Sequence, residues 1–221
     1  MLQKLTSELL SLFLMPFSLG HRPKVGLVLK GSVDDVRQVA RRARFLPLKG
    51  VEIIGYGQPV NPSCEFLEEL TTIRYARIYA FDLTHLESLG SVTQLRQLQI
   101  AYASDKIISV DLGLLPHLER VDLQWFKGAE TIFGAKQLRA LMLTYCPLSN
   151  SEPFGRLNNL IELDLRSGKL VELGALGRLS LLRWLGLHGQ PKLSDFSALS
   201  GHPALQFLGS GAAEGSAVWN G

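Results

Sequence analysis

Glu162, Asp164, Arg166 and His188 are the residues of this chain whose types and spacing could do chemistry. Two carboxylates, a guanidinium and an imidazole in one neighbourhood are the ingredients of a general acid/base pair. Such a pair needs a pKa displaced by burial or by a neighbouring charge, which a sequence does not show, and the same four residues equally make a polar, charge-balanced contact patch. Cys146, beside Tyr145, is a nucleophile only if its thiolate is stabilised; a core thiol bonded into a turn is the other reading. The sequence contains no Gly-rich phosphate loop, no HExxH, no GxSxG and no Cys/His metal spacing. No catalytic, cofactor-binding or metal-ligating residue is therefore assigned and no cofactor is expected. The chain is read as non-enzymatic, with an enzyme or ligand-binding site near Asp164 and His188 as an alternative.

The elements that must position these residues are constrained first by composition. A chain of 221 residues, 46% hydrophobic and 19% charged, has the makings of a well-filled interior rather than of a disordered segment. The net charge is +3, but nine basic and three acidic residues fall within positions 1–50, so the excess belongs to the N-terminal fifth and a nucleic-acid surface is not expected. Two cysteines, Cys64 and Cys146, are too few for a disulfide framework and point to a reducing, cytoplasmic setting.

The stretch LIELDLRSGKLVEL, residues 160–173, fits neither a helical nor a strand period. Its order comes from repetition. Leu160-x-x-Leu163-x-Leu165 returns as Leu182/Leu185/Leu187, Leu138/Leu141/Leu143, Leu118/Val121/Leu123 and Leu95/Leu98/Ile100, and Leu205-x-x-Leu208 closes the series. The unit is about 22 residues long. Its second half repeats as well: Leu170, Leu173 and Leu176 precede Leu182 as Leu193, Phe196 and Leu199 precede Leu205 and as Leu83, Leu86 and Leu89 precede Leu95. Each unit thus predicts a short strand with two inward side chains, a turn, and a return segment whose three-residue spacing suits a 3₁₀ turn.

This pattern resembles the leucine-rich repeat family, L-x-x-L-x-L-x-x-N/C-x-L. It is most similar to the 22-residue variety, with LSDFSAL at 193–199 looking like the return segment of internalins and of the leucine-rich regulatory subunits of protein phosphatases. The resemblance implies an α/β fold: a single right-handed, curved solenoid of about eight repeats, with a parallel β-sheet on the concave face and 3₁₀ or short helices on the convex face. The ninth place of the unit, Asn or Cys in the family, is Cys146 in one repeat but Phe81, Ala103, Phe126, Gly168 and Gln190 elsewhere, so the usual polar ladder is expected to be missing.

Weaker units continue upstream at Val51/Ile53 and Leu27/Leu29. Between them SVDDVRQVARRARFL predicts a helix with Ser32 as N-cap, Asp34 and Asp35 in its first turn, and arginines 37, 41, 42 and 44 on a solvated outer face. The expected organisation is an N-terminal segment 1–24, divergent repeats over 25–72, regular repeats over 73–208 and a flexible Gly/Ala/Ser-rich tail over 209–221. Residues 1–24 read as a cap over the open end of the coil or, alternatively, as a signal peptide ending near Gly20, which would make this a secreted, internalin-like recognition protein. The apolar run there is too short for a transmembrane span, and no membrane association is expected.

Strand side chains that point away from the leucines gather on one sheet face. Counting the first leucine of a unit as one, places three, five, seven and eight give Tyr75, Arg77 and Tyr79, then Gln97, Gln99 and Tyr102. The next repeat gives Arg120, Asp122, Gln124 and Trp125, and the one after it Met142, Thr144 and Tyr145. Glu162, Asp164 and Arg166 follow, then Trp184 and His188, and last Phe207. Four of the five tyrosines fall on this face, a bias typical of an interface centre, where Tyr, Trp and Arg dominate. The expectation is a protein-binding module, an adaptor, inhibitor or regulator, that holds its partner there. Tyr102, Trp125 and Tyr145 share place eight in consecutive repeats and are expected to form a ladder of rings.

Overall fold

Leu160, Leu163 and Leu165 are at most 2% exposed, and so are Leu170, Leu173 and Leu176. The irregular period of that stretch is therefore one turn of a coil wrapped around its own leucines. A computed structural model describes residues 27–43, 47–54, 63–79, 84–101, 110–211 and 217–218 of the chain. The segment 1–24, Arg44, Phe81, Leu83 and Tyr102 lie outside the described residues.

Nine strands stack in chain order in one parallel sheet: β1 (Leu27–Gly31), β2 (Leu48–Ile54), β3 (Tyr75–Tyr79), β4 (Gln97–Ala101), β5 (Arg120–Gln124), β6 (Ala140–Thr144), β7 (Glu162–Arg166), β8 (Trp184–His188) and β9 (Phe207–Gly211). A tenth, β10 (Ala217–Val218), pairs antiparallel with β9. The unit anchored by Leu205 and Leu208 supplies the ninth strand, one more than the spacing predicts. Strand pairing also runs past Leu208, so parts of the stretch expected to be a flexible tail, up to Gly211 and again at Ala217–Val218, are tied into the sheet. Flexible composition does not prevent pairing where an edge strand offers unpaired backbone groups.

Burial alternates most cleanly in β3, β4 and β5, where the second and fourth residues are buried and the others half-buried. The buried ones join a core of stacked aliphatic layers that continues through Phe126, Phe133 and Phe154, the last two meeting edge to face at 5.0 Å. Truncating one of these leucines to alanine costs about 2–5 kcal/mol, because a stacked coil cannot collapse around the gap without disturbing both neighbours.

The return segments are tight turns, over Glu65–Glu69, Leu86–Ser91, Leu112–Leu114, Ala129–Gly134, Glu152–Arg156, Leu176–Arg178 and Ser197–Leu199. Their three-residue spacing has a direct cause: the N–H of the first leucine of the regular units donates to the carbonyl three residues back, as in Leu138 to Ala135, Leu160 to Leu157 and Leu182 to Leu179, while Leu205 donates instead to His202 Nδ1. The following residue donates to the coil before it, in a ladder from Arg96 to Arg74, Glu119 to Arg96, Arg139 to Glu119, Ile161 to Arg139 and Arg183 to Ile161, all within 2.8–2.9 Å. Backbone groups are thus paired between coils as well as within them.

Helix α1 (Val33–Ala43) replaces the tight turn in the first coil. Ser32 caps it as expected: its hydroxyl accepts from the Asp35 N–H at 3.2 Å, and the Asp35 carboxylate accepts from the Ser32 N–H at 3.1 Å. This reciprocal box contributes about 1 kcal/mol. Val33, Val36 and Ala40, spaced three and four apart, are buried against the sheet, and Arg37 stays exposed and reaches the Ser63 carbonyl. No helix among the described residues is long and apolar enough to cross a membrane.

The expected loss of the polar ladder is only partial. Gln190 takes the ninth-place role for its own coil and the preceding one, accepting from the Leu170 N–H at 3.1 Å and donating to the carbonyls of Leu165 and His188 at 3.2 and 3.4 Å. Glycine at 168 leaves the room that this amide fills.

Candidate functional site: the concave sheet face

The register lines up the outward side chains in rows. The central row runs Lys30, Glu52, Arg77, Gln99, Asp122, Met142, Asp164, Gly186 and Gly209, one residue per strand from β1 to β9. One flanking row includes Tyr75, Gln97, Arg120, Ala140, Glu162, Trp184 and Phe207; the other includes Tyr79, Ala101, Gln124, Thr144, Arg166 and His188. Neighbours in a row are about 4.8 Å apart along the sheet. The structure thus brings Tyr75, Arg77, Tyr79, Gln99, Arg120, Asp122, Gln124, Met142, Glu162, Asp164, Arg166, Trp184 and His188 onto one surface.

At its β1–β3 end one carboxylate of the face is shared by two cations. The Glu52 carboxylate, 5% exposed, lies 3.4 Å from both Lys30 Nζ and Arg77 Nη1. Arg77 also donates to the Tyr79 hydroxyl at 2.7 Å, its guanidinium lying 4.5 Å from the centre of that ring. Burial pushes the Tyr75 phenol well above its ordinary pKa, so it stays neutral and acts as an apolar wall with a polar tip. Lys30 and Glu52 were missed in the sequence because the upstream units were recognised only by their aliphatic pairs. The alternation around Val51 and Ile53 is the signal that points Glu52 to this face.

The middle and the β7–β9 end are different. Gln99 donates to Asp122 Oδ2 at 2.6 Å, and burial, working against that hydrogen bond, raises the Asp122 carboxyl above its ordinary range. Arg120 forks onto both oxygens of Glu162, at 3.2 and 3.4 Å. Arg166 Nε and Nη2 both address Asp164 Oδ2, at 2.9 and 2.8 Å. Asp164 is 3% exposed, yet its Oδ1 has no hydrogen-bond partner; the closest candidate, His188 Nε2, is 3.9 Å away, beyond hydrogen-bonding range. Trp184 and Phe207 stack with ring centres 5.2 Å apart and planes 1° from parallel. They lie over Gly186 and Gly209, where a β-carbon would sit 2.7 Å from Trp184 Cη2 and 3.1 Å from Phe207 Cε1.

The ladder of place-eight rings does not form as expected. Trp125 is half-buried and packs on the core, its ring 6.4 Å from Phe133. Tyr145 turns outward, 60% exposed, with φ of 62°. Place eight is left-handed in three consecutive repeats, at Tyr145, Ser167 and Gly189, but not at Trp125, so the same repeat place directs its side chain differently. Trp125 thus packs partly against the core, while Tyr145 is presented at its strand end; Tyr102 lies outside the described residues. The aromatic pair of the face is Trp184 with Phe207.

Cys146 is buried, and desolvation raises its thiol to about 11; Cys64, likewise buried, is pushed up to about 12. Both remain protonated thiols at neutral pH, which supports the turn-thiol reading of Cys146 over a nucleophile. Among the described residues no group of three or more His, Cys, Asp or Glu is placed to hold a metal ion.

Solved structures with the same fold include an internalin C2 from Listeria monocytogenes (TM-score 0.60, 18% identity, 74% of this chain and 71% of that one). An internalin, InlF, from the same organism gives a TM-score of 0.58 at 16% identity over 80% of this chain and 50% of that one. TLR13, in a structure of its complex with ssRNA13, gives 0.59 at 18% identity over 82% of this chain and 31% of that one. No protein-family model and no curated protein sequence matches the chain. Repeat period, parallel sheet and structural neighbours agree, and the chain folds as a leucine-rich repeat solenoid with its sheet on the concave face.

Proposed function

We propose that this protein is a non-catalytic binding module that holds a protein partner on its concave sheet face. The observation that carries the reading is the row structure of that face. Half-buried Tyr, Trp, Phe, Met and Arg side chains project from consecutive strands of a rigid sheet, the composition favoured at the centres of protein interfaces. Their mutual hydrogen bonds hold most of the long side chains in place before a partner arrives, which lowers the ordering cost of binding. The acid/base alternative draws little support: Arg166 already holds one oxygen of Asp164, and His188 is out of hydrogen-bond reach of the other. Two unpaired, buried thiols support a reducing compartment as the place of action.

The test is co-purification from the native cell extract with wild-type protein, a Tyr145→Ala/His188→Ala variant and a Leu114→Ala control on the opposite, convex side, each verified as folded by circular dichroism. A protein recovered with wild type and control but lost from the double variant is the expected result. Equal recovery by all three would move the binding surface off the concave face.

A further inference from the structure

The backbone ladder that ties coil to coil also lines up side chains at the edge where the strands begin. Lys49, Arg74, Arg96, Glu119, Arg139, Ile161 and Arg183 each stand one residue before the flanking row of the sheet, and each donates its N–H, from Arg74 onward, to the carbonyl of the one before it. Five of these seven are cations, four of them guanidiniums, and all five cations are exposed. Glu119 pairs with Arg96; among the described residues Lys49, Arg74, Arg139 and Arg183 have no side-chain hydrogen bond or ion pair. The carboxylates of the adjoining sheet face, Glu52, Asp122, Glu162 and Asp164, are engaged on that face. The row therefore carries a positive surplus that the net charge of the whole chain, +3, does not reveal.

Its geometry selects among anionic partners. With strands about 4.8 Å apart, the row runs about 29 Å from Lys49 to Arg183 and is one residue wide. Extended polypeptide covers that length with about nine residues at about 3.3 Å each. Guanidiniums fork onto carboxylates, and the exposed side chains of Thr72, Gln94 and Gln137, two positions before Arg74, Arg96 and Arg139, offer hydrogen bonds to a peptide backbone. A single-stranded nucleic acid is held by stacking its bases on rings beside such a row. Here the adjoining rings are half-buried and already packed, Tyr75 over Gly50 and Trp184 against Phe207. A bilayer calls for a plane of cations with apolar side chains to insert, whereas this is a single file in which Leu181, two residues before Arg183, is exposed.

We infer that this basic row is a docking track for an extended acidic segment of a protein, whose Asp and Glu side chains meet the guanidiniums along the edge. The inference goes beyond the sheet-face reading and does not depend on it. A single exposed ion pair contributes little, so recognition here is collective: it needs several cations in line and weakens as salt screens them.

The experiment titrates the full-length protein into a fluorescein-labelled, twelve-residue oligoglutamate and follows anisotropy at low and at physiological salt. Wild type is compared with Arg139→Glu/Arg183→Glu and with Lys127→Glu/Lys169→Glu, which reverses the same amount of charge at exposed positions beyond the far ends of β5 and β7. Wild type should bind in a salt-sensitive manner, the Arg139/Arg183 variant should lose about tenfold or more in affinity, and the Lys127/Lys169 variant less than about threefold. Arg139→Gln/Arg183→Gln takes the place of the charge reversal if circular dichroism shows that variant unfolded. Equal losses in both variants would reduce the effect to net charge and overturn the inference, as would no binding by wild type at low salt. Tighter binding of a single-stranded oligonucleotide or of phosphatidylserine vesicles, abolished by the same Arg139/Arg183 substitutions, would assign the row to a different partner and also overturn it. Tyr145→Ala/His188→Ala should bind the peptide as wild type does; loss there would place the peptide on the sheet face instead. Because co-purification tests the sheet face and oligoglutamate tests the edge, the two readings fail separately.

Discussion

Gln190 occupies the space that a side chain at Gly168 would need: a β-carbon at 168 would come within 2.6 Å of Gln190 Oε1 and 2.8 Å of its Nε2. The pair ties two adjacent coils together through the bonds of Gln190 to Leu170, Leu165 and His188. Gln190→Ala should cost about 1–3 kcal/mol, since it leaves Leu170 N–H and Leu165 C=O without that partner. Gly168→Ala should cost a similar amount by displacing the amide. In the double variant the added methyl has room, so the two costs should be clearly less than additive in urea denaturation. Strict additivity would mean that the two positions are energetically independent.

Glu172 stitches the convex side, accepting from the N–H groups of Ser151 at 2.5 Å and Gly174 at 2.8 Å; these bonds, Ser151 first, hold its carboxyl below the ordinary 4.5. A folded-state pKa lower than the unfolded one contributes stability above the unfolded value, and the contribution disappears as pH falls through the folded one. Glu172→Gln should therefore lower Tm at pH 7, and its gap from wild type should close below about pH 4.5. A gap independent of pH would show that the carboxylate charge is irrelevant.

Tyr145 holds a left-handed φ that a tyrosine adopts at a cost of about 1 kcal/mol, while Gly189 supplies the same conformation two repeats later without that cost. Tyr145→Gly should then raise stability by about 0.5–1 kcal/mol and weaken partner binding at once, because it removes the most presented ring of the face. Thermal melts beside a binding titration check both halves; a variant that is both less stable and fully active would contradict this account.

Trp125→Ala should do the opposite. Its ring packs on Phe133 and the core, so truncation should cost about 2–4 kcal/mol in denaturant melts, with affinity per folded molecule nearly unchanged. Loss of affinity without loss of stability would return Trp125 to the binding face.

The divergent fates of Trp125 and Tyr145 mark the limit of what the sequence made legible. Repeat spacing gives the register of every coil, because leucines at fixed places have to share one core, and it follows that residues between them share the opposite face. That much places Asp122, Met142, Asp164 and Trp184 correctly. Spacing does not give the sign of φ at a strand end, which is positive at Tyr145, Ser167 and Gly189 but not at Trp125. Nor does it give partners: that Gln190 fills the place of Gly168, or that Glu52 is shared by Lys30 and Arg77, depends on side-chain reach between coils. Nor does composition show backbone pairing such as that of Ala217–Val218 with β9.

The most direct test of concave-face binding is site-specific photo-cross-linking in native extract, with p-benzoylphenylalanine placed in turn at 145 and 188 on the sheet side and at 114 on the exposed convex turn. The account predicts one discrete protein adduct from 145 and 188 and none from 114; an adduct from 114 alone would contradict it.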